Sequence, residues 1–167
     1  VRSFLTTSQL SEIPTQINPM ELIDHSMKVT SLGEGGIASE RAIPTEARQL
    51  HGTHLGVLDP VRTPETFKAG VDIRATMVAR RDEHGNLYTL VRNMKNDKFE
   101  YVSAKDLQSK KVLFPNQAKT GVVAMLHNGK PAYFPRNQAD YEIPTGAHLY
   151  SPSTNLVPML ESNQGNR

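Results

Sequence analysis

Two segments of this 167-residue chain combine residue types that could support binding or catalysis. The first places Gly33, Gly35 and Gly36 just before the charged tripeptide Ser39-Glu40-Arg41. Glycines this close together allow positive φ and let a ligand or another chain approach the backbone. A phosphate loop would also carry a Lys-Ser/Thr pair, which is absent here. The segment therefore predicts either a binding loop or an exposed turn without function.

The second segment contains a histidine pair, His51 and His54, ahead of Thr63-Pro64-Glu65. Two imidazoles three residues apart could ligate one metal ion on a helix, but Gly52 and the lack of further ligands favour structural hydrogen bonding. The sequence has no cysteine, no Gly-x-Ser-x-Gly and no Asp-x-Asp-x-Asp cluster. Disulfides and thiolate metal sites are therefore excluded, and we expect no metal site.

A helix and an irregular stretch must position these residues. Pro19 suits a first helical position, and Met20, Ile23 and Met27 recur at helical spacing, which predicts a helix with one apolar, core-facing stripe that stops by Gly33. Prolines then limit regular structure as far as Pro64. Long irregular segments are uncommon in compact domains unless they serve a site or an interface, so a functional surface is expected here.

Short β-like runs follow from Val71 onward. The Asn128-Gly129 dipeptide predicts a type I′ hairpin turn between two strands. A second hairpin is predicted around residues 82–86. We therefore expect an α+β fold, with a helical and irregular module followed by a small antiparallel β-rich module. The other predicted strands are residues 73–80, 87–93, 99–103 and 112–114.

Charge is unevenly distributed along the chain. The net charge is +2, but residues 74–119 hold ten Lys/Arg against five Asp/Glu, whereas residues 1–73 hold six against nine. A basic middle could face a nucleic-acid backbone or form a solvated surface. The longest apolar run, residues 122–126, is far too short to span a membrane, so we expect a soluble protein without a membrane partner.

The whole series of motifs resembles the fork region of the β subunit of multisubunit DNA-directed RNA polymerase. The bacterial pattern NPLSExxHKRRxSALGPGGLxRERA, followed by RDVHxTHYGRxCPIxTPEG, is matched densely over residues 8–66 and sparsely through the middle. The last dozen residues resemble the family's LIPFLE and ANR motifs. The main matches are Asn18-Pro19, His25, Lys28, Ser31-Leu32-Gly33, Gly35-Gly36, Glu40-Arg41-Ala42, Arg48, His51, Thr53-His54, Gly56, Pro60 and Thr63-Pro64-Glu65.

The resemblance implies three modules: a fork-region module at residues 1–70, a β-rich lobe at 71–150, and a return segment at 151–167. It places the glycine loop near the point where the DNA strands separate, which makes Lys28, Thr30, Gly33, Gly35, Gly36 and Arg41 candidate nucleic-acid contacts. For Arg41, a salt bridge to a neighbouring carboxylate is the alternative. Glu65 matches a residue near the active centre, and a buried carboxylate that fixes the proline turn is its alternative.

Arg167 matches the family arginine that reaches the phosphates of the incoming NTP. The catalytic aspartates and their Mg²⁺ belong to the partner β′ subunit in this family, so no catalytic residue and no cofactor are expected on this chain. The implied partners are β′, the rest of β, template DNA, RNA transcript and NTP, in the cytoplasm. Because the chain begins at Val1 and stops partway through a motif, we expect a segment of a larger polypeptide or a split subunit.

Several positions depart from the bacterial pattern. Glu12, Thr15, Lys28 and Thr30 stand where bacterial enzymes usually carry glutamine, aspartate, arginine and serine around the rifampicin pocket, which predicts weak or no inhibition. Glu34 and Ser39 lower the positive charge of the loop. These departures favour a large-phage type of polymerase. A stand-alone nucleic-acid-binding or regulatory protein with the fork fold is the alternative function.

Overall fold

The computed structural model of the protein describes residues 2–8 and 11–164. It contains short helices and two sheets whose strands are mostly antiparallel. It confirms the expected α+β class. The helices are α1 (Arg2–Thr7), α2 (Pro19–Ser26), α3 (Ala104–Gln108) and α4 (Pro152–Asn155). The strands are β1 (Lys28–Thr30), β2 (Asp72–Arg74), β3 (Arg80–Arg81), β4 (Leu87–Asn93), β5 (Lys98–Ser103), β6 (Val112–Leu113), β7 (Val122–His127), β8 (Lys130–Pro135) and β9 (Tyr141–Glu142).

Helix α2 starts where the sequence predicts, with Pro19 in its first turn and the Asn18 side chain accepting a hydrogen bond from Met20 N. The predicted core-facing apolar stripe is wrong at Ile23, which is 45% exposed; Met20 and Met27 are half-buried, and the buried residue of the helix is Asp24, at 6% exposure. Asp24 shares a helix face with Met20 and Met27 and finds charged partners inside the fold, so a carboxylate takes the inner position.

The small sheet pairs β1 with β2, in the register Lys28 to Arg74 and Thr30 to Asp72. This pairing joins the predicted fork-region module to the start of the predicted β-rich lobe. The division of the chain into modules at residues 70 and 150 stays a prediction.

The large sheet has the order β3-β4-β9-β6-β7-β8, with β5 paired to β4. Most of its pairs are antiparallel, and β6 with β9 is parallel. The hairpin of β7 and β8 turns at Asn128 and Gly129, whose φ angles of 50° and 74° confirm the predicted type I′ turn. Strand β8 lies at one edge of the sheet and carries Pro131 and Pro135, while β5 pairs only with β4.

Apolar residues pack on both faces of the large sheet. On one face, Val91, Val112 and Leu126 pack with Leu107 of α3 and with Ile143. On the other face, Leu113, Val123 and Met125 pack with Ala139. Burying side chains of this size provides the main stabilisation of the β-rich part of the chain.

The turn at Gly52–His54 packs against this sheet. A Cβ on Gly52 would overlap the backbone of Gly129 in the β7–β8 turn, so the two backbones touch directly. The irregular segment that carries the histidines is thereby held against the β-rich part of the chain.

Candidate nucleic-acid interface at the glycine loop

The glycine loop, defined here as residues 31–38, is a closed and internally bonded structure. Ile37 N donates to Ser31 O at 2.8 Å, and Gly33 N donates to Ile37 O at 3.1 Å. Gly33 and Gly35 have φ angles of 111° and 84°, which side-chain-bearing residues rarely adopt. A Cβ on Gly36 would overlap the carbonyl oxygen of Ser31. Each of the three glycines is therefore required by the shape of the loop.

Strand β1 supports this loop from its N-terminal side. Thr30 Oγ1 accepts a hydrogen bond from Leu32 N at 3.2 Å, just where the strand enters the loop. Thr30 pairs with Asp72 across the small sheet. Among the predicted nucleic-acid contacts, Thr30 thus has a structural task at the base of the loop.

Lys28 lies between two carboxylates. Its Nζ is 2.7 Å from Glu12 Oε1 and 3.6 Å from Asp72 Oδ2. Glu12 also contacts His25 Nδ1 at 2.9 Å. The hydrogen bond from Lys28 is the largest effect that holds the pKa of Glu12 below its ordinary value. The positive charge of Lys28 is therefore largely compensated within the protein.

Arg41 lies on the short turn Glu40–Ala42, after the glycine loop. The Ser39 side chain caps this turn by accepting a hydrogen bond from Arg41 N. The Arg41 side chain is exposed and makes no ion pair with any of the residues that the structure describes. The salt bridge that the sequence left open for Arg41 is absent there, because Glu40 pairs with Lys68 at 3.1 Å.

Arg48, unlike Arg41, is hydrogen-bonded within the protein. Its guanidinium donates to the backbone carbonyls of Phe67, Ala69 and Glu40, and so ties two irregular segments together. Arg48 is therefore a structural brace, whereas Arg41 is available to a ligand.

Glu65 lies on a loop that Thr63 closes. Thr63 Oγ1 donates to Asp72 O at 3.0 Å and accepts from Gly70 N at 2.8 Å. The Glu65 side chain is exposed, so the alternative of a buried carboxylate beneath the proline turn is wrong. Arg167, the predicted NTP contact, lies outside the described residues.

An open cleft of about 1120 Å³ lies between the glycine loop and the β3–β4 hairpin. Its charged lining comprises three basic side chains and four acidic ones, with His25 in addition. The cleft is therefore not an electropositive groove, and attraction of a phosphate backbone must come from side chains at its rim. The basic residues are Lys28, Lys68 and Arg81, and the acidic ones are Glu12, Glu34, Glu40 and Asp72.

The histidine pair makes structural hydrogen bonds. His51 Nδ1 accepts from Thr53 N, and His54 Nδ1 accepts from His51 N, so each ring caps the Gly52–His54 turn. Burial, with a smaller effect of the His51 charge, lowers the pKa of His54 below its ordinary value. Within residues 2–8 and 11–164, no three His, Asp or Glu side chains gather as a metal site would require.

Two buried carboxylates escaped the sequence reasoning. Asp24 accepts hydrogen bonds from Arg74 Nε at 2.8 Å, Arg62 Nη2 at 3.2 Å and Ser153 Oγ at 2.7 Å. Burial alone would raise the pKa of Asp24, but the hydrogen bonds from Ser153 and Arg74 and the two arginine charges outweigh it, and this pKa is lowered. Only the position of Asp24 on the inner face of α2 could have signalled this role.

Asp59 is the second buried carboxylate, at 1% exposure. Its Oδ2 accepts from Ser151 N at 2.7 Å and from Thr154 Oγ1 at 2.6 Å, and its Oδ1 accepts from Val61 N at 2.8 Å. Together, Asp24 and Asp59 fasten α4 and the start of the return segment to the irregular segment that precedes Thr63-Pro64-Glu65.

Comparison with known proteins matches this chain to one family. A family profile described as RNA polymerase Rpb2, domain 3 matches residues 12–80. The β subunit of DNA-directed RNA polymerase from Borreliella burgdorferi strain ZS7 is 32% identical over 178 aligned residues, which cover 100% of this chain and 15% of that subunit. The corresponding subunit from Ehrlichia ruminantium strain Gardel is 30% identical and covers 100% of this chain and 13% of the subunit.

These relatives define what the comparison supports. The chain spans only about one seventh of their length. They are bacterial subunits, so the comparison lends no support to the expected large-phage type. Within the described residues, no helix is long and apolar enough to cross a membrane.

Proposed function

Because the chain belongs to the β-subunit family of DNA-directed RNA polymerases, we propose that it helps to position template DNA, nascent RNA and incoming NTP at the downstream edge of the active centre. It does so as part of a nucleotidyltransferase assembly with the β′ subunit and the rest of β. The assembly works in the cytoplasm.

This proposal rests on one observation: a hydrogen-bonded glycine loop lies next to the exposed cation of Arg41. The loop is closed by its own backbone hydrogen bonds, and just beyond it Arg41 is exposed and makes no ion pair with another described residue. A planar guanidinium in this position suits a nucleic-acid phosphate or a base edge. We assign the contact with nucleic acid near the point of strand separation to Arg41.

The other predicted contacts take different roles within the same proposal. Gly33, Gly35 and Gly36 let nucleic acid approach the loop backbone closely. Thr30 and Lys28 hold the base of the loop, because the hydroxyl of Thr30 and the charge of Lys28 are both engaged within the protein. Glu65 lies exposed near the active centre of the assembly, and Arg167 contacts the NTP phosphates.

Metal chemistry belongs elsewhere in the assembly. In RNA synthesis, Mg²⁺ activates the attacking hydroxyl and stabilises the leaving pyrophosphate. Two of the buried carboxylates, Asp24 and Asp59, do not fit such a site, because each already accepts several protein hydrogen bonds. As the family resemblance implies, the metal-binding aspartates lie on the β′ subunit, and this chain orients the nucleic acid around them.

The test uses the assembled polymerase on a forked template, with the fluorescent base 2-aminopurine at the first unpaired downstream position. Arg41→Ala should weaken strand separation, seen as lower fluorescence, and should weaken template binding about tenfold, the expected effect of losing one charge-assisted contact. Lys119→Ala is the matched control, since Lys119 is also exposed and makes no ion pair with the described residues.

Equal behaviour of the two variants would contradict the assignment of Arg41. If the isolated chain bound the same fork as tightly as the assembly does, the alternative of a stand-alone nucleic-acid-binding protein would be favoured instead.

A further inference from the structure

The basic middle of the chain contains an aromatic surface that the fork region does not explain. On β5, Phe99 and Tyr101 alternate with Lys98 and Glu100, so both rings point to the same face of the sheet. Phe99 is 61% exposed and Tyr101 is 38% exposed. Two ring faces about 7 Å apart along an edge strand are therefore open to solvent.

Arg80 completes this surface. Its guanidinium lies 4.3 Å from the centre of the Tyr101 ring, in a cation–π contact. Arg80 reaches Tyr101 across β4, where Arg80 pairs with Tyr88 and Tyr101 pairs with Leu90. We call the group formed by the exposed residues Arg80, Phe99 and Tyr101 and the half-buried Leu90 the β5 face.

The charge around the β5 face is positive. Arg80 on this face and Lys95 on the β4–β5 turn are exposed, and neither forms an ion pair in the described part of the chain. The neighbouring acids are engaged, because Asp97 pairs with Arg92 at 3.4 Å and Glu100, on the opposite face, accepts from Asn93 at 2.9 Å. An anionic partner is therefore favoured over an apolar one.

We propose that the β5 face binds single-stranded nucleic acid, with successive bases stacking on Phe99 and on the Tyr101–Arg80 pair and the backbone phosphates meeting Lys95 on the β4–β5 turn. Sheet proteins that bind single strands present aromatic rings in this way, and arginine adds a cation–π contribution. A duplex cannot use the surface, because its bases are stacked inward. This site lies on the large sheet and is separate from the glycine loop.

The test measures binding of a fluorescein-labelled oligo-dT to the full 167-residue chain by fluorescence anisotropy at low salt. Replacing both rings, Phe99→Ala with Tyr101→Ala, should weaken binding at least about tenfold, because both stacking surfaces are lost. Phe99→Trp should retain binding, because it keeps a stacking surface. Arg80→Lys keeps the charge but loses the planar cation, and should weaken binding severalfold.

Tyr133→Ala is the matched control. Tyr133 is 77% exposed, and it pairs with Ala124 on the sheet face opposite to Phe99. Its loss should leave the affinity unchanged, and far-UV circular dichroism should be the same for all variants. Because Phe99 is 61% exposed, its loss removes little packing; the circular dichroism comparison checks that the loss of Tyr101, which is only 38% exposed, leaves the fold intact.

Three outcomes would overturn the proposal: no binding by the unmodified chain, equal affinity of the double variant, or equal competition by duplex DNA. A fourth is photo-cross-linking of Tyr101 to protein and not to nucleic acid in the assembled enzyme, which would make the β5 face a subunit contact. None of these outcomes bears on Arg41, so the proposed function stands or falls independently.

Discussion

Ser153 Oγ donates a 2.7 Å hydrogen bond to Asp24 Oδ1, although the two residues lie 129 positions apart in the sequence. The same carboxylate binds Arg74 of β2 and Arg62. One buried aspartate thus joins α2, the small sheet, the segment before Thr63 and the start of the return segment. A single carboxylate therefore links four segments that are distant in the sequence.

Asp24→Asn should destabilise the chain by about 3 kcal/mol, because it leaves two arginines facing a neutral group; this is the lower end of the range for a broken buried pair, since Arg62 is one-third exposed. Urea denaturation measures the change. Asp97→Asn is the matched control, since Asp97 is 83% exposed and pairs with Arg92, and it should cost less than about 1 kcal/mol. Similar losses of stability for the two variants would show that the contacts of Asp24 do not stabilise the fold more than an exposed ion pair does.

Gly36→Ala should distort the glycine loop, because the added Cβ overlaps the Ser31 carbonyl. We expect a loss of about 2 kcal/mol, typical of strain introduced into closely packed backbone. Gly146→Ala serves as the control, since no atom lies near its Cβ position and its φ is not positive. That control should be neutral or slightly stabilising. Thermal unfolding followed by circular dichroism compares the two, and an unchanged Gly36→Ala would mean that the loop is open.

The pH dependence of stability should reveal the histidines. Burial lowers the pKa of both His54 and His148 below the ordinary value of 6.5. The unfolded chain therefore binds protons at a higher pH than the folded chain, and stability is full above 6.5 and falls as the pH drops below it. Denaturation at a series of pH values measures this slope.

The double variant His54→Gln with His148→Gln should flatten the slope in the window just below pH 6.5. His84→Gln is the control, since His84 is exposed on the β3–β4 turn. If the double variant kept the full slope, other groups would be responsible.

Rifampicin should inhibit the assembled polymerase weakly or not at all. Lys28 is held between Glu12 and Asp72, so the local charges differ from the pattern of bacterial enzymes. The combined replacement Glu12→Gln, Thr15→Asp, Lys28→Arg and Thr30→Ser should increase sensitivity in a transcription assay. Inhibition of the unmodified enzyme at ordinary antibiotic concentrations would refute the prediction.

The sequence predicted the structural features that depend on a few neighbouring residues. The Asn128-Gly129 turn was predictable because both residues tolerate positive φ, and β4 (Leu87–Asn93) follows the predicted run. The start of α2 was predictable from Asn18-Pro19. In each case, the energetic preference lies within a few neighbouring residues.

The interior of the fork region was not predictable in the same way. Asp24 is buried only because Arg74 and Ser153, 50 and 129 residues away, supply its hydrogen bonds. The ion pair of Lys28 with Glu12 also joins two separate segments, and no pattern in the sequence predicts that these segments meet. Among the described residues, Arg41 has no ion-pair partner, and the neighbouring Glu40 pairs with Lys68 instead. Such pairings depend on tertiary packing, and local secondary-structure propensity does not predict them.

The prolines of the edge strand β8, Pro131 and Pro135, affect the risk of aggregation while the chain is being synthesised. A proline has no N–H, so at two of three alternate positions this edge offers no donor to an incoming strand. While a long polypeptide emerges and its other regions are still unfolded, an unprotected sheet edge can recruit neighbouring chains into aggregates. The two prolines therefore make the β8 edge a poor template for such pairing.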